Sequence, residues 1–420
     1  MGIGTVAGRL DRVFIEGKQF LMDMLSALLP GDWYAALSPV VSALVVSTAV
    51  LVFAPVSMMF LTWLERKAVA RFQDRIGPNR AGPAGLLQPI ADGIKMFLKE
   101  DIVPRGADGF LHFLVPALVV APVFTLYLVL PFGRDMTAMD LNVGLLFFLG
   151  ASAVQTPLVI AAGWSTRSKY PVLGSMRSAA QILSYEIPLV LVLVAVVMSA
   201  GTMSTSAIVE AQEARWFIAT PWGLAGFLVF VLASTAEANR TPFDMAEAES
   251  ELVAGFHTEY AGLKFAMFQM AEFLSAFAAG GLAATVFLGG WQAPPVPGFL
   301  AGAVSVVPSW AWFHLKLYAM FFVLIWFRGT FPRFRIDQLL AFAWKLLFPM
   351  SLLVIVAAAI WHFGLESGGA PGGTGPGAAR ELAMWGACLG LLAVGYLGLS
   401  AILEREFSRM NRPREMAHAP

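Results

Sequence analysis

Residues 179–198 read AAQILSYEIPLVLVLVAVVM, a stretch in which Gln181, Ser184, Tyr185 and Glu186 alone carry polar side-chain groups. About 20 apolar residues in a helix rise the ~30 Å of a bilayer's hydrocarbon core. The stretch therefore reads as a transmembrane span with a carboxylate inside it. Outward from it lie further runs of the same kind: Ala36–Leu64, Phe110–Phe132, Val143–Trp164, Pro221–Ala236, Lys264–Leu288, Trp310–Phe327, Leu346–Phe363 and Leu382–Leu403. Composition agrees, with 58% hydrophobic and only 13% charged residues and a mean hydropathy of +0.71; soluble domains carry about 25% charged residues. The fold class is an all-α integral membrane protein with about nine transmembrane helices and amphipathic helices beside them.

With an odd number of spans the termini lie on opposite sides. Residues 65–109, 165–178, 237–264, 328–345 and 404–420 hold 21 of the 28 Lys and Arg, whereas the alternate loops and the N-terminus hold six. Positive charge marks cytoplasmic loops, so the first set is predicted to be cytoplasmic, with the C-terminus there and the N-terminus opposite. Residues 1–33 form an amphipathic extension: Leu10, Phe14, Leu21, Met24 and Leu28 suggest a striped helix, and Asp11, Arg12, Glu16, Lys18 and Asp23 argue against a secretory signal. That helix lies at the membrane interface or against a partner. Residues 34–363 are the membrane core, 364–381 a Gly/Pro linker, and 382–420 an extra span with a basic tail.

Lys and Arg balance Asp and Glu, which gives no basis for nucleic-acid binding. A single cysteine, Cys388, excludes a disulfide framework and cysteine-ligated iron–sulfur clusters, and the five His form no close pair. No metal site or redox centre is expected on this chain.

Three polar stretches on the basic side are too specific for plain connectors. Between Leu64 and Pro104, Glu65, Arg66, Lys67, Arg71 and Arg75 continue the first span, GPNRAGP forces turns, and a helix is predicted from Ala84. Leu86, Leu87, Ile90, Ile94, Phe97 and Leu98 share its apolar face, while Asp92, Lys95 and Lys99 share another. The stretch is either a positive-inside anchor or a polar-lined cavity or docking surface at the bilayer edge. Its mixed charge favours the latter, because a lipid anchor is mainly basic. Glu237–Gly262 holds Glu237, Asp244, Glu247, Glu249, Glu251 and Glu259 against Arg240 alone. If helical, it sets Glu247 and Glu251 one turn apart, where repulsion raises carboxyl pKa values towards the range in which protons are held and passed; the alternative is a solvated acidic loop. In Phe327–Lys345, Arg328, Arg333 and Arg335 cluster with Asp337, as an anchor or as a carboxylate-binding partner surface. Charges within the spans are costly unless paired or hydrated. Glu186, Glu237 and Glu272 are therefore functional candidates, and Lys316 either functions or snorkels.

Four segments carry a family resemblance: ERKAVARFQDRIGPNRAGPAGLLQPIADGIKMFLKE (Glu65–Glu100), RSAAQILSYEIP (Arg177–Pro188), AEANRTPFDMAEAESELVAGFHTEYAGLKFAMFQMAEF (Ala236–Phe273) and RGTFPRFRIDQLLAFAWK (Arg328–Lys345). In this order they resemble the H-type membrane subunit of bacterial proton-pumping NADH:quinone oxidoreductase, respiratory complex I. The likeness covers about residues 34–363, an eight-span core, and leaves the N-terminal helix, the linker and the ninth span outside it.

The resemblance implies a coupling subunit of the bacterial cytoplasmic membrane that joins the membrane arm to the peripheral arm and forms much of the quinone chamber. Flavin and iron–sulfur clusters then belong to partner subunits; quinone is the substrate, and this chain binds no cofactor. Arg66, Asp92 and Lys95 map onto the quinone region. Glu186, Glu237, Glu247, Glu249, Glu251 and Glu272 map onto the proton-coupling carboxylate path. Arg71, Arg75, Arg80, Arg333 and Arg335 are expected to dock the peripheral arm, with antiporter-like and small membrane subunits and lipid as the other partners. A related subunit of a membrane-bound hydrogenase or formate hydrogenlyase is the alternative, disfavoured by the complete Arg66–Lys99 motif. A stand-alone proton-coupled transporter is expected to show repeat halves around a midplane site, and the sequence has no such repeat.

Overall fold

The structure, a computed structural model, describes residues 31–245, 253–295, 304, 306–366 and 378–410, with isolated positions between 11 and 27. Most of the expected N-terminal helix, the centre of the acidic stretch with Glu247, Glu249 and Glu251, most of the linker and the end of the basic tail lie outside the described residues. Every regular element among the described residues is helical: α1 (Gly31–Phe72), α2 (Gln88–Leu98), α3 (Gly109–Leu126), α4 (Gly144–Ala153), α5 (Gln155–Ser165), α6 (Lys169–Ala200), α7 (Thr205–Ala211), α8 (Pro221–Glu237), α9 (Gly262–Phe287), α10 (Ser309–Thr330), α11 (Ile336–Phe342), α12 (Phe348–Glu366) and α13 (Ala378–Met410).

Among the described residues, eight helical segments are long and apolar enough to cross a membrane, α4 and α5 together making one of them and α11 and α12 another. The remaining apolar run, α8, has 17 residues and rises about 25 Å, at the short end of the range for a membrane-spanning helix. Packing explains how it tolerates this. Enclosed by α6, α9 and α12, α8 presents its polar end, Glu237, to protein rather than to lipid. Thr220 starts it by accepting from the Gly223 N–H at 3.1 Å, with Pro221 at the first helical position.

Helix α9 is the most buried span. It packs against α1, α3, α8 and α10, and the Tyr127 hydroxyl donates to its Leu274 carbonyl at 2.7 Å. At its far end Gly289 and Gly290 take positive φ (+69° and +48°), conformations that glycine adopts without steric cost. The turn aims three carbonyls at Lys316 of α10. The Lys316 ammonium donates to Leu288 O at 2.6 Å, Gly290 O at 2.8 Å and Gln292 O at 2.7 Å, and lies 4.1 Å from the Trp216 ring centre. This residue, 8% exposed, caps the end of α9, a role that neither the functional nor the snorkelling reading of the sequence named.

The predicted amphipathic helix forms, but begins at Gln88 rather than Ala84. The turn before it needs positive φ at Gly82, Ala84 and Gly85. A β-carbon on Gly85 would stand 2.2 Å from Pro78 O, so the chain folds back on itself only with glycine there. No residue of α2 is buried within the chain, and Ile94, Phe97 and Leu98 are among its most exposed apolar side chains. Its apolar stripe is left for lipid or a partner.

Candidate functional site

The basic face gathers its charges around two consecutive residues at the end of the first span. Successive helical side chains point about 100° apart, so Glu65 and Arg66 take different neighbours. Arg66 turns outward to α2: its Nη1 donates to Asp92 Oδ2 at 2.5 Å, and Gln88 donates to Asp92 Oδ1 at 3.1 Å. Burial pushes the Asp92 carboxyl up, but the hydrogen bonds from Arg66 and Gln88 and the charges of Arg66 and Lys95 outweigh it, leaving the group below the usual aspartate value. Lys95 is exposed on the same helix.

Glu65 turns inward and is 4% exposed. It accepts from Arg240 Nη1 at 2.8 Å through one oxygen and from Arg328 Nη1 through the other. The Arg240 guanidinium also lies 3.9 Å from the ring centre of Phe273, a cation–π contact. Arg333 reaches Asp244 at 3.1 Å. The expected grouping of Arg328 and Arg333 with Asp337 is thus resolved differently: these two arginines pair with Glu65 and Asp244, and Asp337 opens α11.

Arg240 follows Glu237 by three residues at the end of α8. The Glu237 carboxyl lies within hydrogen-bonding reach of Ser152 and within electrostatic range of Glu186 on α6. Gln181 holds this junction, donating to Ala236 O at 2.7 Å, Asn239 Oδ1 at 3.2 Å and Phe243 O at 2.6 Å. On the next turn of α6, the Tyr185 hydroxyl donates to Leu339 O at 2.9 Å. Glu272 is half-buried on α9 beside Phe273, the ring that receives Arg240. The structure therefore pairs Arg66 with Asp92 and leaves Glu186 within electrostatic range of Glu237. Arg71, Arg75, Arg80, Arg333 and Arg335 are exposed on the basic face.

A second polar cluster lies where α3, α5 and α9 meet. His112, fully buried, stacks on Tyr260 with ring centres 4.2 Å apart and planes at 6°. Lys264 meets His112 Nδ1 at 3.1 Å and Asp101 at 2.8 Å, and the Tyr260 and Ser165 hydroxyls are 2.7 Å apart. Burial pushes the Tyr260 hydroxyl up, and its hydrogen bond with Ser165 partly offsets this.

Sequence reasoning did not single out Glu65, Arg240, Gln181 or His112 as site residues. Glu65 was readable only as one charge in a basic opening, and His112 belongs to no histidine pair. Among the described residues no group of three or more His, Cys, Asp or Glu is arranged to hold a metal ion.

These features define a multi-pass membrane protein whose charges run from an amphipathic surface helix into the helix bundle. A model of the NADH dehydrogenase family matches residues 45–359. The chain is 47% identical over 308 residues to the H-type subunit of NADH-quinone oxidoreductase from Dehalococcoides mccartyi (strain CBDB1), covering 73% of this chain and 83% of that one. It is 48% identical over 316 residues to the H-type subunit of the same enzyme from Geobacillus kaustophilus, covering 73% and 92%, and 40% identical over 400 residues to an H-type subunit from Koribacter versatilis, covering 79% and 93%. The chain belongs to the family of H-type subunits of NADH-quinone oxidoreductase, and is a membrane subunit of that multi-subunit enzyme.

Proposed function

We propose that this chain forms the quinone-binding chamber at the junction with the peripheral arm and couples quinone reduction to proton translocation through its carboxylates. One observation carries the reading: charged residues follow one another from the surface inward. Asp92 pairs with Arg66, the adjacent Glu65 pairs with Arg240, and Glu237, three residues before Arg240, lies within electrostatic range of Glu186. A proton or a change in field has charged groups to act on along that route. An isolated carboxylate in an apolar helix offers no such continuity.

In this reading Arg66 donates hydrogen bonds to the quinone headgroup, Asp92 orients Arg66, and Lys95 adds positive charge at the mouth. Electrons come from flavin and iron–sulfur clusters in partner subunits, and this chain holds no cofactor. Glu186, Glu237, Glu247, Glu249, Glu251 and Glu272 take up the charge change of quinone reduction and pass it to antiporter-like membrane subunits. Arg71, Arg75, Arg80, Arg333 and Arg335 dock the peripheral arm. The membrane is the bacterial cytoplasmic membrane, with the basic face and C-terminus cytoplasmic and the N-terminus opposite. Residues 1–33 and 382–420 are extensions to the core at 34–363, the second joined through the 364–381 linker.

The test is a Glu237→Gln, Glu251→Gln double variant in the assembled enzyme. Quinone reductase activity and proton pumping fall together, while NADH oxidation by an artificial acceptor at the flavin survives. Full pumping in the double variant defeats the proposal.

A further inference from the structure

Helix α13 lies beyond the segment matched by the family model, yet it is fitted to the rest of the chain along its length. It runs antiparallel to α12 in a steady register. Gly364 faces Met384, Trp361 meets Trp385 edge-on with ring centres 5.9 Å apart, Cys388 Sγ donates to Ala357 O at 3.5 Å, and Gly395 faces Leu353. A β-carbon on Gly364 would stand 2.1 Å from Met384 Cε, and one on Gly395 2.2 Å from Leu353 Cδ1. Small residues let membrane helices approach this closely. An ion pair closes each end: Arg215 with Glu381 at 2.5 Å, and Lys345 with Glu406 at 3.1 Å.

The second pair falls on a π-helical turn, Ala343–Leu347, between α11 and α12. Such a turn is a rare geometry, frequently found at functional sites. Its consecutive residues Trp344 and Lys345 reach different helices. Trp344 donates from Nε1 to Ser184 Oγ on α6 at 3.2 Å, and Lys345 pairs with Glu406 on α13. Ser184 immediately precedes Tyr185 and Glu186. A line of contacts thus leads from α13 through the π turn to the part of α6 that carries Glu186.

We propose that Glu406 is a positioning residue: through Lys345 it fixes the π turn in the register that holds Trp344 on Ser184, and so sets the α6 segment bearing Tyr185 and Glu186. The inference rests on the reading of Glu186 as a coupling carboxylate. It makes the ninth span a built-in brace for the coupling path, where a mere anchor needs only apolar length.

The experiment uses the whole enzyme in its native membrane, with Glu406→Gln, Lys345→Gln, the exchanged pair Lys345→Glu with Glu406→Lys, and Glu186→Gln. Either neutral variant lowers quinone reductase kcat about threefold, the scale of one partly exposed ion pair. The quinone KM and the artificial-acceptor activity of the flavin stay at parent values, and the exchanged pair recovers kcat. Parent kcat in both neutral variants overturns the proposal, as does a loss that tracks the amount of assembled enzyme, or an exchanged pair that recovers nothing. Parent kcat and pumping in Glu186→Gln overturn the underlying reading and the proposal with it, so the two failures are told apart.

Discussion

Arg240 donates to the Glu65 carboxylate at 2.8 Å, joining residues 175 positions apart in a pair whose side chains are 10% and 6% exposed. It ties the end of the first span to the turn that leaves α8. Removing one member of a buried pair leaves an uncompensated charge and costs about 3–5 kcal/mol. Glu65→Gln is therefore expected to lower the thermal midpoint of the assembled enzyme sharply. Arg240→Lys recovers only part of the loss, because an ammonium lacks the planar guanidinium that reaches Glu65 while lying on Phe273. A Glu65→Gln enzyme with the parent's midpoint refutes this account.

Arg66 and Asp92 give a kinetic prediction. Arg66→Ala raises the apparent quinone KM, while assembly and artificial-acceptor activity persist. The folded Asp92 carboxyl titrates below its unfolded value, so the stability it contributes is fully present above the unfolded aspartate pKa of about 3.9. That stability is lost as pH falls through the lower folded value. Across the neutral range Asp92 stays ionised, and Asp92→Asn is expected to shift KM by a pH-independent factor between about pH 6 and pH 8. A KM ratio that changes with pH over this range contradicts the assignment.

Lys316 tests the opposite end of α9. Its ammonium satisfies three carbonyls at the end of that helix, and hydrogen bonds to a charged group contribute about 1.5–3 kcal/mol each. Lys316→Met strands those carbonyls in a buried place and is expected to lower stability by at least about 2 kcal/mol. The quinone KM stays unchanged, because Lys316 and Arg66 sit at opposite ends of the spans. A large KM shift with unaltered stability gives Lys316 a role that the capping geometry does not supply.

The spans were legible because an apolar run long enough to cross a membrane has few other readings, and Glu186 stood out because it interrupts one. What pairs with what was not legible. Glu65 and Arg66 are neighbours in sequence, and helix geometry alone sends one inward and the other out. Arg328 stands near Asp337 in the chain yet pairs with Glu65, a contact set by how α1 and α10 pack. The start of α2 was misplaced because helical periodicity continues through Ala84, whereas the positive φ values of the turn do not show in an apolar pattern. The π turn left no compositional mark: Ala343–Leu347 reads as ordinary helix.

The cluster around His112 gives the last prediction. The Lys264 ammonium pairs with Asp101, and an ammonium only donates, so His112 Nδ1 accepts from it. Its Nε2 then carries the proton and points to Glu259 O at 3.4 Å. The ring also covers Tyr260, which is tied to Ser165. One side chain therefore fastens the 253–262 segment, the described continuation of the acidic stretch, to α3, α5 and α9. His112→Phe keeps the stack and loses both polar contacts, a loss of about 1–2 kcal/mol. His112→Ala loses the stack as well and leaves a cavity, which costs more. Hydrogen exchange at the amides of residues 255–262 is expected to quicken in that order, parent, then His112→Phe, then His112→Ala, while exchange at the centre of α9 keeps the parent rate. Equal exchange in parent and His112→Ala removes the cluster as the anchor of this segment.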